Sequence, residues 1–230
     1  MSQPRRAFTW LPLAADGTPG TYVFQNGAVL TSMAIDPSGL ELYGPQGNLV
    51  NQYNLQPNGS AVAFAGWGLG ATTAQGVAVR PNALTLYTAI LGPDSVSYLA
   101  ISPGTGVTPP FTQIGVGGSS APYIPVINPQ GTVLYTMNQS TPTQLSCFTL
   151  AANGVAAACA TPVININASP SVATDIVIES SGQFLYVALA LANQIQSYRI
   201  NPVTGALTAT PGSPFATGAF QPFSLRTINN

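Results

Sequence analysis

The sequence has no lysine and no histidine, and its five arginines and six acidic residues leave only 5% of 230 positions charged. Globular domains average about 25%, so solubility here rests on Ser, Thr, Asn, Gln and Gly. Without clustered Lys and Arg there is no electrostatic footprint for nucleic acid. Arg5-Arg6 is the only basic pair and reads as an exposed tail. No stretch approaches ~18 uninterrupted apolar residues, so no membrane-spanning helix is expected. "MSQPRRAFTW" lacks the apolar core of a signal peptide, so an exported protein would stand here in mature form. The missing His and Lys remove two of the usual general bases, and a Ser nucleophile lacks its ordinary activator. Scattered carboxylates give no set of metal ligands; no metal and no cofactor are expected.

Only two cysteines occur, Cys147 and Cys159, on either side of "TLAANGVAAA". Asn153-Gly154 signals a hairpin turn. A three-residue loop centred on Asn153 places Cys147 opposite Cys159, within disulfide reach. The pair is either a disulfide, implying an oxidising extracellular or periplasmic compartment, or two buried thiols.

What the chain has instead is a repeat. Leu-Tyr occurs at Leu42-Tyr43, Leu86-Tyr87, Leu134-Tyr135 and Leu185-Tyr186, spaced by 44, 48 and 51 residues. An apolar strand and a turn precede each pair ("MAIDPSG", "VAVRPNA", "PVINPQG", "IVIESSG"). A polar loop and a third strand ending in Gly59, Gly106, Gly154 or Gly205 follow, and that glycine opens a hairpin into a fourth. Four short strands per unit, with turns every 8–12 residues, predict an all-β fold. A period in the forties predicts a β-propeller of four-stranded antiparallel blades, whose strands we letter a to d from the channel outward. The repeated Tyr is expected to pack between blades.

"SGQFLYVALALANQIQSYRINPVTGALTATPGSPFATG" resembles a repeat of the lactonase-type propellers, the YVTN or 6-phosphogluconolactonase-like group. The resemblance implies a propeller fold and, as an activity, opening of a sugar lactone. That group is typically seven-bladed, and seven copies of about 48 residues exceed this chain. We expect one domain of about five blades, with repeats over 33–75, 76–123, 124–173 and 174–222. The termini, 1–32 and 223–230, would share the closing blade. "FTWLPLAADGTPGTYVF" supplies strands c and d with Asp16-Gly17 at the hairpin, and "FSLRT" supplies strand a; strand b is missing.

Ligands are expected at the face formed by the d–a and b–c loops. Asp94 is the only acid in those loops and Asp175 lies just beyond one, so these two are the acidic catalytic candidates. Trp67, Tyr123 and Phe220, with Asn138 and other amides, either form a carbohydrate-binding rim or plug gaps between blades. "GWGLGATTAQG" mimics a phosphate loop but precedes no helix and reads as a link between blades. Asp36, Arg80, Asn128, Glu179 and Thr227 share one repeat position at the end of strand a, which favours turn hydrogen bonding on the opposite face. The sequons at Asn58, Asn138 and Asn167 are what such a composition yields by chance.

This inventory favours a non-catalytic extracytoplasmic binding or assembly module, with a lactone hydrolase as the alternative. A slot without strand b leaves backbone groups unpaired and invites a strand from a neighbouring chain. Head-to-tail donation builds a filament and mutual donation a dimer. Light scattering across a concentration range tests this. Closure within one chain yields a single species of monomer mass. Donation yields larger species that disappear when residues 223–230 are removed.

Overall fold

Each Leu-Tyr pair lies in the second strand of a four-stranded antiparallel sheet in the computed structural model of the protein. The structure describes all residues except 1–5, 11–13, 15, 17, 21–22, 27–29, 71, 83–84, 103–105, 118–120, 141, 167–171, 219–220 and 228–230. At 6–10, 23–26 and 106–110 only the backbone is described.

Strands β1 (Arg6–Trp10) and β2 (Val23–Asn26) form a two-stranded sheet, with Trp10 opposite Val23. Between them the Asp16 carboxylate accepts the Thr18 N–H at 2.9 Å. The first blade is β3 (Ala34–Ile35), β4 (Glu41–Gln46), β5 (Leu49–Leu55) and β6 (Ala61–Gly68). The second is β7 (Thr73–Val79), β8 (Thr85–Leu91), β9 (Ser95–Ser102) and β10 (Gly106–Gly115). The third is β11 (Pro122–Ile127), β12 (Val133–Asn138), β13 (Gln144–Leu150) and β14 (Ala156–Asn165). The fourth is β15 (Ala173–Ile178), β16 (Phe184–Leu189) and β17 (Gln194–Ile200), whose outer edge is shared by β18 (Leu207–Ala209) and β19 (Phe215–Ala216). No helix occurs among the described residues.

The core lies between blades, which is why alternate residues are apolar on both faces. Val77, Leu86 and Ile90 pack back onto Tyr43 and Val50 of the first blade. Tyr87 and Val96 pack forward onto Leu134 and Phe148 of the third. Tyr135 and Met137 repeat this against Leu185 and Val187 of the fourth. Each of these tyrosines reaches a hairpin one blade on: Tyr87 donates to the Gly154 carbonyl at 2.6 Å, and Tyr135 to that of Gly205 at 2.7 Å. Burial raises the Tyr87 phenol to about 12 and pushes that of Tyr135 up as well, so both remain donors at neutral pH.

Cys147 and Cys159 form a disulfide with Cα atoms 5.4 Å apart. Its hairpin closes through the Ala151 N–H to the Val155 carbonyl at 2.9 Å, a three-residue loop centred on Asn153 as the spacing predicts. Closing this loop contributes about 3 kcal/mol on chain-entropy arithmetic. Both sulfurs seat against the next blade: a Cβ added to Gly205, whose φ is +71°, would lie 2.5 Å from Cys147 Sγ and 2.7 Å from Cys159 Sγ.

Three of the polar positions ending strand a, Asp36, Asn128 and Glu179, close their a–b turns. The Asp36 carboxylate accepts the N–H groups of Ser38, Leu40 and Glu41. Asn128 Oδ1 accepts those of Thr132 and Val133, and Glu179 those of Ser181, Gln183 and Phe184. Arg80 differs, crossing to the third blade to donate to the Gly131 and Ala152 carbonyls, each at 2.9 Å. "FSLRT" is a correction to the expected strand: residues 221–227 carry no strand assignment. Pro222 has no N–H, and what holds the segment is side chains of β15 rather than a ladder.

Two predictions follow from these turns. Gly205→Ala combines left-handed strain with overpacking and is expected to cost about 2–5 kcal/mol. Gly39→Ala, at φ +73° with open space around it, is expected to cost about 1–2 kcal/mol. Denaturant unfolding checks the order, and equal losses would refute the account. Second, burial pushes Asp36 and Glu179 upward, but hydroxyl and N–H donors (Ser38, Glu41 and Leu40; Ser181, Gln183 and Phe184) outweigh it and hold both below the ordinary carboxylate range. A depressed folded pKa means stabilisation that is complete above the unfolded value of about 4 and lost as pH falls through the folded one. An Asp36→Asn/Glu179→Gln variant keeps the acceptors, as Asn128 shows, and should unfold at lower pH in an acid titration. An unchanged acid midpoint would count against it.

Candidate functional site at the channel mouth

Three inner strands carry a one-residue bulge at the same repeat position. Pairing skips Gln75 between Ala74 and Gly76, Tyr123 between Pro122 and Ile124, and Thr174 between Ala173 and Asp175. A bulge bends its strand and re-aims the extra residue. Gly76 lets β7 approach β11 there, since a Cβ would lie 2.2 Å from the Tyr123 carbonyl oxygen. Links run between neighbouring positions: Thr31 Oγ1 donates to the Gln75 carbonyl at 2.7 Å, and Thr174 Oγ1 to that of Pro222 at 2.6 Å.

These positions surround a cavity of about 400 Å³ at the d–a end of the channel, lined by Thr31, Ser32, Gln75, Tyr123, Asp175 and Arg226 among others. All four blades contribute to it. The Asp175 side chain is 14% exposed and that of Arg226 80%. Asp175 Oδ1 accepts the Ile176 N–H at 2.9 Å. Oδ2 accepts the Leu225 N–H at 2.8 Å, the Ser224 hydroxyl at 3.0 Å and Arg226 Nη1 at 3.3 Å. One carboxylate therefore fixes segment 224–226 to β15 and holds a guanidinium at the rim. With surrounding hydroxyls, an amide and a phenol, the arrangement can bind a polyol, stabilise a developing oxyanion and accept a proton from water.

The structure brings Asp175 and Tyr123 together and separates the other candidates. Asp94 sits in the β8–β9 turn at φ +43°, its carbonyl accepting the Val116 N–H at 3.1 Å, and does not line the cavity. Trp67 lies within β6 opposite Val50 and packs half-buried on the Tyr43 and Val50 cluster, which is the gap-filling alternative. Asn138 is fully buried in a network with Thr136 and Ser146, so it faces no ligand and its sequon presents no glycan acceptor. Phe220 lies outside the described residues, as does Asn167. Among the described residues no group of three or more His, Cys, Asp or Glu could hold a metal ion, and no helix is long and apolar enough to cross a membrane. Sequence reasoning missed Thr31, Gln75 and Arg226. The first two stand five residues before Asp36 and Arg80, the offset that leads to Tyr123 from Asn128 and to Thr174 from Glu179.

Solved structures share this fold. A protein from Bacteroides uniformis assigned as a 6-phosphogluconolactonase is 20% identical, with a TM-score of 0.70 over 87% of this chain and 63% of its own. A periplasmic gluconolactonase from Pseudomonas aeruginosa is 15% identical, with a TM-score of 0.70 over 90% of this chain and 62% of its own. A protein from Lactobacillus plantarum, also 15% identical, gives 0.70 over 90% and 63%. The chain thus spans less than two thirds of the length of each. No curated protein sequence matches it. A family model described as "Lactonase, 7-bladed beta-propeller" matches residues 76–218. That match covers more than half of the sequence, and the chain belongs to the lactonase family of seven-bladed β-propellers.

Proposed function

We propose that the channel mouth binds a sugar lactone and opens it by hydrolysis. The observation that carries this reading is the Asp175–Arg226 pair, set 3.3 Å apart in a cavity to which all four blades contribute. Water adds to the lactone carbonyl carbon, the ring C–O bond breaks, and the proton from water passes through Asp175 to the departing alkoxide, giving the hydroxy acid. Arg226, the one cation among the described lining residues, stabilises the oxyanion as it forms. Thr31, Ser32, Gln75 and Tyr123 offer partners to the sugar hydroxyls. Lactones are reactive enough for this small set to matter where His and Lys are absent. Family membership and the gluconolactonase neighbour support this reading; they lend no support to a non-catalytic binding or assembly module.

The Cys147–Cys159 disulfide supports an extracellular or periplasmic setting. Closure of the ring through both termini belongs to the same proposal. Its C-terminal part is supported by the Thr174-to-Pro222 link, which repeats the Thr31-to-Gln75 link of the first two blades.

The test is acid release from a gluconolactone-type substrate in a pH-stat. Asp175→Asn and Arg226→Gln are each expected to lower kcat/KM by about 100-fold or more. Asp94→Asn, outside the cavity, should leave it unchanged. Absence of hydrolysis, or equal rates in all four proteins, would overturn the assignment.

A further inference from the structure

Between the second and third blades, three polar side chains form a closed chain of hydrogen bonds. Thr136 Oγ1 donates to Asn138 Oδ1 at 3.1 Å, Asn138 Nδ2 to Ser146 Oγ at 2.8 Å, and Ser146 Oγ to the Val116 carbonyl at 2.8 Å. One interface earlier, between the first and second blades, the corresponding residues are Thr88, Ile90 and Ser97. Thr88 is the Cα partner of Ser97 as Thr136 is of Ser146. The Leu69 N–H bonds the Asn48 carbonyl as the Val116 N–H bonds that of Asp94, so the Leu69 carbonyl corresponds to the terminal acceptor.

Two changes break the chain here. Ile90 stands where Asn138 supplies the linking amide, and the Leu69 carbonyl accepts the Thr72 hydroxyl at 3.0 Å instead. Thr88 Oγ1, Ser97 Oγ and Ser95 Oγ are left without hydrogen-bond partners among the described residues, although their residues are at most 3% exposed. Strand alternation puts all three on the side of Leu86, Ile90 and Leu99, which packs on Tyr43 and Val50. From the opposing blade, Gln52 shares the face of its Cα partner Tyr43 and adds a fourth orphan, Oε1, at 1% exposure.

Buried polar groups find partners in protein or in ordered water. Thr88 and Ser97 are opposed across β8 and β9, with Ser95 next on the same face of β9. These hydroxyls can each donate and accept, and the Gln52 amide oxygen of the opposing blade can accept, which suits the two donors and two acceptors of water. We propose that the interface between the first and second blades binds internal water, in the place the Asn138 amide fills one interface on. Buried waters typically make about three such bonds, and this interface carries four orphaned oxygens.

A crystal structure of the chain at a resolution that shows ordered solvent is the first test. Density is expected within about 2.6–3.2 Å of at least three of the four oxygens. Hydroxyls turned instead onto backbone carbonyls, with no density between the blades, would overturn the proposal. Ile90→Asn is the second test, because it supplies the amide that closes the chain and displaces the water. Its thermal midpoint should stay within about 4 °C of the parent, with the solvent peak gone. Leu86→Asn, buried on the same face at the position where the third blade carries Leu134 rather than an amide, should fall much further or fail to fold. An Ile90→Asn loss as large as that of Leu86→Asn would refute the site.

Discussion

A four-stranded sheet that is apolar on both faces cannot remain single in water; it has to be covered on each side. Everything described above depends on that stacking. Leu86, Leu134 and Leu185 look back and Tyr87 and Tyr135 look forward, so the second and third sheets are each half of two cores. The tyrosines also tie the outer edge of the next sheet through their hydroxyls, at Gly154 and Gly205. Wedge-like contacts of this kind splay the sheets around an axis, and the four inner strands are thereby brought to one cavity.

The channel mouth is a by-product of that geometry which the bulges have modified. An inner strand with unbroken alternation would point every second residue into a neighbouring blade. Skipping Gln75, Tyr123 and Thr174 releases polar side chains from that rule where the strands enter the channel. The chemistry is spare: one carboxylate, one guanidinium, and neutral groups.

The periodic part of the structure was legible in the sequence because it is set by local rules. The Leu-Tyr spacing, the hairpin glycines and the Asn153-centred turn each act over a few residues, and the turn brings the two cysteines within disulfide reach. The site was less legible because its members come from different blades. Asp175 was visible as a rare acid near a loop, and Tyr123 as an aromatic at a strand start. Arg226 stands in the sequence only as part of an expected strand, since nothing local reveals that it would bond Asp175. Trp67 and Asn138 were misleading in the other direction. Their side chains suit a ligand equally well, and only the structure shows Trp67 packed half-buried on the Tyr43 and Val50 cluster and Asn138 fully buried.

The two sulfurs resting on Gly205 have a consequence for how such a chain can diversify. Repeats that contact each other only through generic leucines and tyrosines can be duplicated, exchanged or reordered with little penalty. The third and fourth blades cannot, because the cross-link in one fills the space where any side chain in the other's hairpin would go. They form a matched couple, as the second and third blades do where Gly154 lies against Thr85 and Arg80 reaches Gly131 and Ala152.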